Sequence, residues 1–308
     1  MFLLVLIFAA GCTGESGYKP VDFSERVTYG PPAPAQDKTP ILRVAVAAMT
    51  SPKETVVFYR ALLDYLARKT DHEITLIQRR TYGEINELFP KGEIDLAFIC
   101  TGPYAAGREV FGFEALATPV IRGEPLYRSY LIVHKDSDFK DLSDLEGRVF
   151  AFTDPDSNTG ALVPKDWLGA IGETPGSFFS ELIYTYSHDN SILAVAKGLV
   201  DGAAVDGHLW EYYHQKNPFY TSMTRVIKKS IPFGSPPLVA AAYLPAQLKN
   251  RIREIALSMH QDPEGRRILA ELMIDRLVVP EEAWYAPVRE LYRRVGPPSV
   301  AENEAQES

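Results

Sequence analysis

The chain has 308 residues, 46% of them hydrophobic, enough to bury one large core or two smaller ones. Its formal charge is -8 and its lysines and arginines are scattered, so it lacks the basic field that a nucleic acid requires. Nucleic-acid binding is excluded on that ground.

Residues 1–10, MFLLVLIFAA, are apolar but would span only half a bilayer as a helix, because a crossing takes about 20 residues. The run ends in FAAGC, residues 8–12, and so reads as a secretory signal of the lipoprotein type, cut before Cys12, whose sulfur then carries lipid. No basic start precedes it, which leaves an ordinary signal or a start codon further upstream as alternatives. The expected location is the periplasm or the cell surface, with a membrane anchor on Cys12. There are two cysteines, so lipidation of Cys12 leaves Cys100 as a free thiol.

Residues 13–40 are rich in Gly, Pro, Ser and charge without an apolar period, and read as a flexible tether. From Ile41 onward, strand-like runs (ILRVAVAAM, EITLIQ, IDLAFIC) alternate with helical periods (TVVFYRALLDYLARKT, YGEINELF). That alternation predicts an α/β fold with a parallel sheet. In the first helix Phe58, Leu62, Tyr65 and Leu66 share a stripe, with Ser51 as N-cap, Pro52 at the first helical position and Glu54 as capping-box partner. A second series runs through RVFAFTD, GALVPKDWLGAIG, ELIYTYS, NSILAVAKGLV and DGAAVDG. The flanking strands YRSYLIVHK and RVIKKSIPF are the expected crossings between two lobes. Residues 41–130 and 231–295 then form lobe 1, residues 131–230 lobe 2, and AQLKNRIREIALSMH packs on lobe 1. The tail, residues 296–308, is polar and acidic and is expected to be disordered.

In FTDPDSNTGALVP, Ser157, Asn158 and Thr159 lie between a strand and a helix. Two readings stand. Such residues cap helices; the unpaired amides of a helix start, with hydroxyls beside them, also make a socket for an anion. Enzymatic motifs are missing: there is no HExxH, GxSxG or phosphate loop, and two cysteines with six scattered histidines suggest no zinc site. No metal, cofactor or catalytic residue is expected.

The motifs IDLAFI, YRSYLIVHKDS, DPDSNTGALVP, SHDNSILAVAKGLVDGAA and SIPFGSPPLV, from about Ile41 to Leu244, resemble the phosphonate, phosphite and phosphate (PhnD-like) family of periplasmic binding proteins. The resemblance implies a two-lobed type II clamp with a ligand cleft at the hinge, acting as a monomer and closing on a tetrahedral oxyanion for the membrane permease of an ABC importer. By the same resemblance Ser157, Asn158 and Thr159 hold one face of the anion, Asn158 and Thr159 replacing the second and third residues of the family's Ser-Thr-Ser run. Tyr82 and Tyr127 match tyrosines that donate from the opposite lobe, with Tyr104 and Tyr130 as spare candidates. His188 matches a ligand-contacting histidine; a bound dianion favours its charged form, so affinity is expected to fall as pH rises past neutrality. His208 and Pro236 stand where aminophosphonate receptors carry acidic residues, which favours inorganic or alkyl oxyanions.

Cys100 ends the strand IDLAFIC, where open α/β sheets bind ligands, and its neighbour Thr101 offers a further donor. A branch of the family senses arsenic through a cysteine, and a soft thiolate suits As(III). The alternatives are therefore importer receptor or arsenic-oxyanion sensor facing a membrane histidine kinase, with Cys100 as ligand or as a small buried residue.

Overall fold

The computed structural model describes residues 39–47 and 49–296. The expected signal with Cys12, nearly all of the tether and the tail after residue 296 lie outside the described residues. No helix among the described residues is long and apolar enough to cross a membrane.

The chain runs from β1 (Ile41–Val46) into α1 (Pro52–Thr70), β2 (Glu73–Ile77), α2 (Tyr82–Asn86), β3 (Leu96–Phe98), α3 (Thr101–Phe111) and β4 (Phe113–Val120). A two-residue strand, β5 (Leu126–Tyr127), precedes β6 (Ser129–His134), β7 (Val149–Phe152), α4 (Val163–Gly169), α5 (Pro175–Phe178), β8 (Glu181–Tyr184), α6 (His188–Ala196), β9 (Gly202–Asp206), α7 (Gly207–Lys216) and β10 (Thr224–Lys229). The return passes through β11 (Phe233–Gly234) and β12 (Leu238–Ala241) to α8 (Ala246–Ser258), α9 (Pro263–Glu271), β13 (Arg276–Val278) and α10 (Glu282–Val295).

These elements form a six-stranded sheet, β13-β4-β12-β3-β1-β2, and a five-stranded sheet, β10-β6-β9-β7-β8. β1 lies parallel to β2 and β3, and β7 parallel to β8 and β9. β3, β7 and β9 are buried along almost their whole length, which is why they read as unbroken apolar runs. Each sheet with its helices is one lobe of a two-lobed clamp. The lobes are joined by the antiparallel pair β5–β11, in which Tyr127 faces Phe233. The chain passes from β5 of the hinge pair directly into the second sheet's β6 at Ser129.

Two local expectations change. Ser51 is the N-cap of α1, yet its side chain makes no capping bond. The Ser51 amide that Glu54 would accept in a capping box donates instead to Asp189 Oδ1 of the other lobe, at 2.9 Å. The helix expected after Gly160 begins with a wide turn, Asn158–Leu162, in which Leu162 N–H reaches back to Ser157 O at 2.9 Å. Pro164 has no N–H for the Gly160 carbonyl, which accepts from Thr153 N–H instead.

Leu42, Val44, Leu62, Leu66, Leu96 and Ile252 fill the first lobe, where α8 packs against β4 and α1; Phe150, Phe152, Leu131 and Leu168 fill the second. α10 touches α3, α4 and β11, and so spans the hinge side of both lobes.

Candidate functional site

The C-terminal ends of β1, β3, β7 and β9 point toward the cleft between the lobes, the position where open α/β sheets place ligands. All eight residues expected at the site are buried there: Tyr82, Cys100, Thr101, Tyr127, Ser157, Asn158, Thr159 and His188.

The cap reading of the opening turn holds at one atom. Ser157 Oγ accepts the Gly160 amide at 3.0 Å and so acts as the cap. Thr159 Oγ1 is fully buried without a partner, as is Tyr82 Oη from the facing lobe. A buried polar atom left unpaired costs roughly 1–3 kcal/mol, and Thr153 Oγ1, Tyr213 Oη and Ser235 Oγ are buried without a partner as well. Asn158 Nδ2 donates to Tyr127 Oη at 3.1 Å and its Oδ1 has no partner. Turning that amide over preserves its bond to Tyr127, with the hydroxyl now donating, and leaves an N–H donor in place of the lone carbonyl.

His188 is held at both ends. Its backbone N–H donates to Met49 O at 3.0 Å, across the cleft, and its Nδ1 accepts the Asp206 amide at 3.1 Å. A ring whose Nδ1 accepts carries its proton on Nε2, which is therefore the single donor. Burial pushes the imidazole down to about 3. The expected charged, doubly donating histidine is thus corrected to a neutral, singly donating one.

Tyr127 sits on the hinge pair, not on the first lobe, and its hydroxyl is engaged by Asn158. Thr101 Oγ1 donates to Gly234 O at 2.8 Å, so this expected ligand donor ties α3 to the hinge strand instead. Tyr104 Oη donates to Glu282 at 3.4 Å and Tyr130 Oη to Glu211 at 2.5 Å, which engages both spare candidates elsewhere.

Cys100 packs with Ala47, Met49 and Tyr82. Burial pushes its thiol up to about 12, against the amides of Asn158 and Gly102, which lower it. The sulfur stays protonated near neutral pH in the ligand-free protein.

Asp154 and Asp206, absent from the expected set, complete the site. Asp154 Oδ2 accepts the Tyr82 amide at 3.0 Å from the opposite lobe, and its Oδ1 accepts the Asp156 amide at 2.9 Å. Asp206 Oδ1 caps α7 through His208 N–H at 2.7 Å and Leu209 N–H at 3.2 Å. Burial pushes both carboxyls up to about 7. Asp154 was signalled only as the acidic residue ahead of the Ser-Asn-Thr run, and Asp206 as the Asp-Gly before a helix. Arg122 of the first lobe pairs with Glu211 of the second, another bond across the closed cleft. Among the described residues no cluster of His, Cys, Asp and Glu could hold a metal ion.

The fold and sequence have relatives. A protein of Escherichia coli K12 named "Phosphonates-binding periplasmic protein" is 24% identical over 267 residues, covering 84% of this chain and 78% of that one. The "Phosphate-import protein PhnD" of Mycolicibacterium smegmatis is 32% identical over 163 residues, 48% of this chain and 50% of its own. Among solved structures, a binding component of a phosphonate ABC transporter from Pseudomonas aeruginosa superposes with a TM-score of 0.78 at 22% identity, covering 87% of this chain and 93% of that one. PhnD1 from Prochlorococcus marinus, in complex with methylphosphonate, gives 0.74 at 20% identity, covering 82% and 97%. The family described as "ABC transporter, phosphonate, periplasmic substrate-binding protein" matches residues 44–285, most of the described chain. The chain belongs to that family of periplasmic substrate-binding proteins.

Proposed function

We propose that the protein captures a small tetrahedral oxyanion, phosphate, phosphite or a phosphonate, outside the cytoplasm and presents it to the permease of an ABC importer, without catalysing a reaction. One observation carries this reading: Tyr82 Oη and Thr159 Oγ1 come from opposite lobes, are buried, and have no protein partner. An anion between them would take both hydroxyls, and each charge-assisted hydrogen bond is worth roughly 1.5–3 kcal/mol. His188 Nε2–H adds a donor that does not depend on pH near neutrality. The names of the curated relatives, phosphonates-binding and phosphate-import, support the same ligand class.

Isothermal titration with phosphate, phosphite, methylphosphonate, arsenate, arsenite and sulfate tests it. Saturable one-to-one binding of at least one phosphorus oxyanion, lost in Thr159→Val, is the expected result. If none binds, the reading is wrong. Arsenite binding lost only in Cys100→Ser would restore the sensor alternative.

We also infer a lipid on Cys12, supported by the FAAGC sequence. Mass spectrometry of the membrane-fraction protein should show an N-terminal lipidated cysteine, and Cys12→Ser should release the protein.

A further inference from the structure

The last helix, α10, is fastened to a different lobe at each end. Toward its start Glu282 pairs with Arg108 of α3, and the Tyr285 ring meets that of Tyr104 at 4.5 Å, both partners belonging to the first lobe. Tyr285 Oη also donates to Ser235 O at 3.0 Å, next to the hinge strand β11. Toward its end Leu291 is buried with Leu162 and Val163, which lead into α4 of the second lobe, and Arg294 Nε donates to Asp166 Oδ1 of α4 at 2.8 Å. Pro287 lies between the two attachments and has no N–H for the Ala283 carbonyl, so the helix bends most easily there. The second attachment lies beyond residue 285, where the match to the family ends.

Tyr292 occupies the place where the lobes meet. Its hydroxyl lies 3.5 Å from the carbonyl oxygen of Asp156, in the turn that leads into Ser157, Asn158 and Thr159, and would lie 3.0 Å from a Cβ built on Gly102 of α3. Opening the clamp carries Asp156 away from Gly102, and one hydroxyl cannot follow both. The helix must then bend at Pro287 or release the second lobe. Either way contacts made in the closed form are lost, and that loss favours closure.

We propose that α10 is a strap and that Tyr292 and Arg294 are positioning residues: without touching the ligand they hold the socket turn against the first lobe and set the fraction of the receptor that is closed. The consequence for affinity rests on the oxyanion-receptor reading; the closure itself does not.

Three backbone amides read the closure. Those of Ser51, Tyr82 and His188 stand at the starts of α1, α2 and α6, where no intrahelical partner exists, and each donates to the opposite lobe: to Asp189 Oδ1, Asp154 Oδ2 and Met49 O. They lose protection when the lobes part, whereas the amides of β1 and β9 are bonded within their own sheets.

The test is hydrogen exchange followed amide by amide by NMR on the full chain without ligand. In the double variant Tyr292→Ala with Arg294→Ala, exchange at Ser51, Tyr82 and His188 should quicken about ten-fold over wild type, with Val44 and Val205 unchanged. Arg294→Glu, an exposed change that sets like charges against Asp166, should move the same three amides in the same direction, and it decides the matter if the double variant fails to fold. Calorimetric affinity for methylphosphonate should fall by at most the factor seen in exchange, because it follows the closed fraction. Unchanged exchange at the three amides, or equal quickening inside both sheets, overturns the strap. If neither phosphate nor methylphosphonate binds the wild type, the receptor reading falls, while exchange without ligand still decides the strap.

Discussion

A Cβ built on Gly102 would lie 2.4 Å from the carbonyl oxygen of Asp156 and 3.1 Å from the amide nitrogen of Asn158. Gly102 belongs to α3 of the first lobe and the other two residues to the socket turn of the second, so a bare Cα marks the point where the closed lobes touch. Backbone on both sides cannot swing away as a flexible side chain could. Gly102→Ala should therefore wedge the cleft without disturbing either core. Forcing one methyl into a packed contact costs about 1–3 kcal/mol, which corresponds to an affinity loss of about 10- to 100-fold. Small-angle scattering at saturating methylphosphonate should show a larger radius of gyration for the variant than for the wild type. A variant that binds and compacts like the wild type would show that this closed contact is not part of the liganded state.

Tyr82→Phe should move stability and binding in opposite directions. The hydroxyl is buried and unpartnered in the free protein, so deleting it removes a desolvation cost and raises thermal stability without ligand, by up to roughly 1–3 kcal/mol. The same deletion removes a donor to the anion and weakens binding about 10- to 100-fold. Melting curves with and without methylphosphonate check both signs. Lower stability in the free variant would assign the hydroxyl to packing.

How much of this was legible in the sequence depends on the separation along the chain. The stripe on α1 and the strands around it follow from local period, and Leu62, Tyr65 and Leu66 are buried as that period requires. The run Ser157, Asn158 and Thr159 is legible because strand, small polar residues and glycine are contiguous. What joins the lobes is not contiguous. Tyr82 and Asp154 are 72 residues apart and Ser51 and Asp189 are 138 apart, and no periodicity links them. His188 was marked by resemblance, but its charge state depends on the Asp206 amide, brought to it by a neighbouring strand. The pocket lined by Leu62, Phe98, Leu209 and Leu277 draws on both lobes, so no single window of sequence shows it.

Cys100 should behave as an inert thiol. It is 2% exposed and burial pushes its pKa up to about 12, so the reactive thiolate is scarce and the reagent is excluded. A maleimide at mildly alkaline pH should modify the native protein at least about 100-fold more slowly than the urea-unfolded chain. Cys100→Ser should still bind phosphate or methylphosphonate. Rapid labelling of the ligand-saturated protein would place the sulfur at a surface this structure does not give it.

The buried acids and histidine of the socket make opposing demands on pH. Asp154 and Asp206, with ordinary values of 3.8, are pushed up to about 7, so the folded chain holds more protons than the unfolded one in between. Their contribution to stability is full in acid and is lost as pH rises through that window. His188 is pushed down from 6.5 to about 3; folding favours its neutral ring, and its contribution is lost as pH falls through that range. Between 3.8 and 6.5 the one imidazole offsets one of the two carboxyls. Removing one side exposes the other. Asp154→Asn should raise the slope of stability against pH there by up to about 1.4 kcal/mol per pH unit relative to wild type, and His188→Gln should lower it by a similar amount. Urea midpoints across the window read both slopes. Parallel profiles for the three proteins would mean that Asp154 and His188 titrate in the fold as they do in the unfolded chain, and that the socket is wetter than its burial indicates.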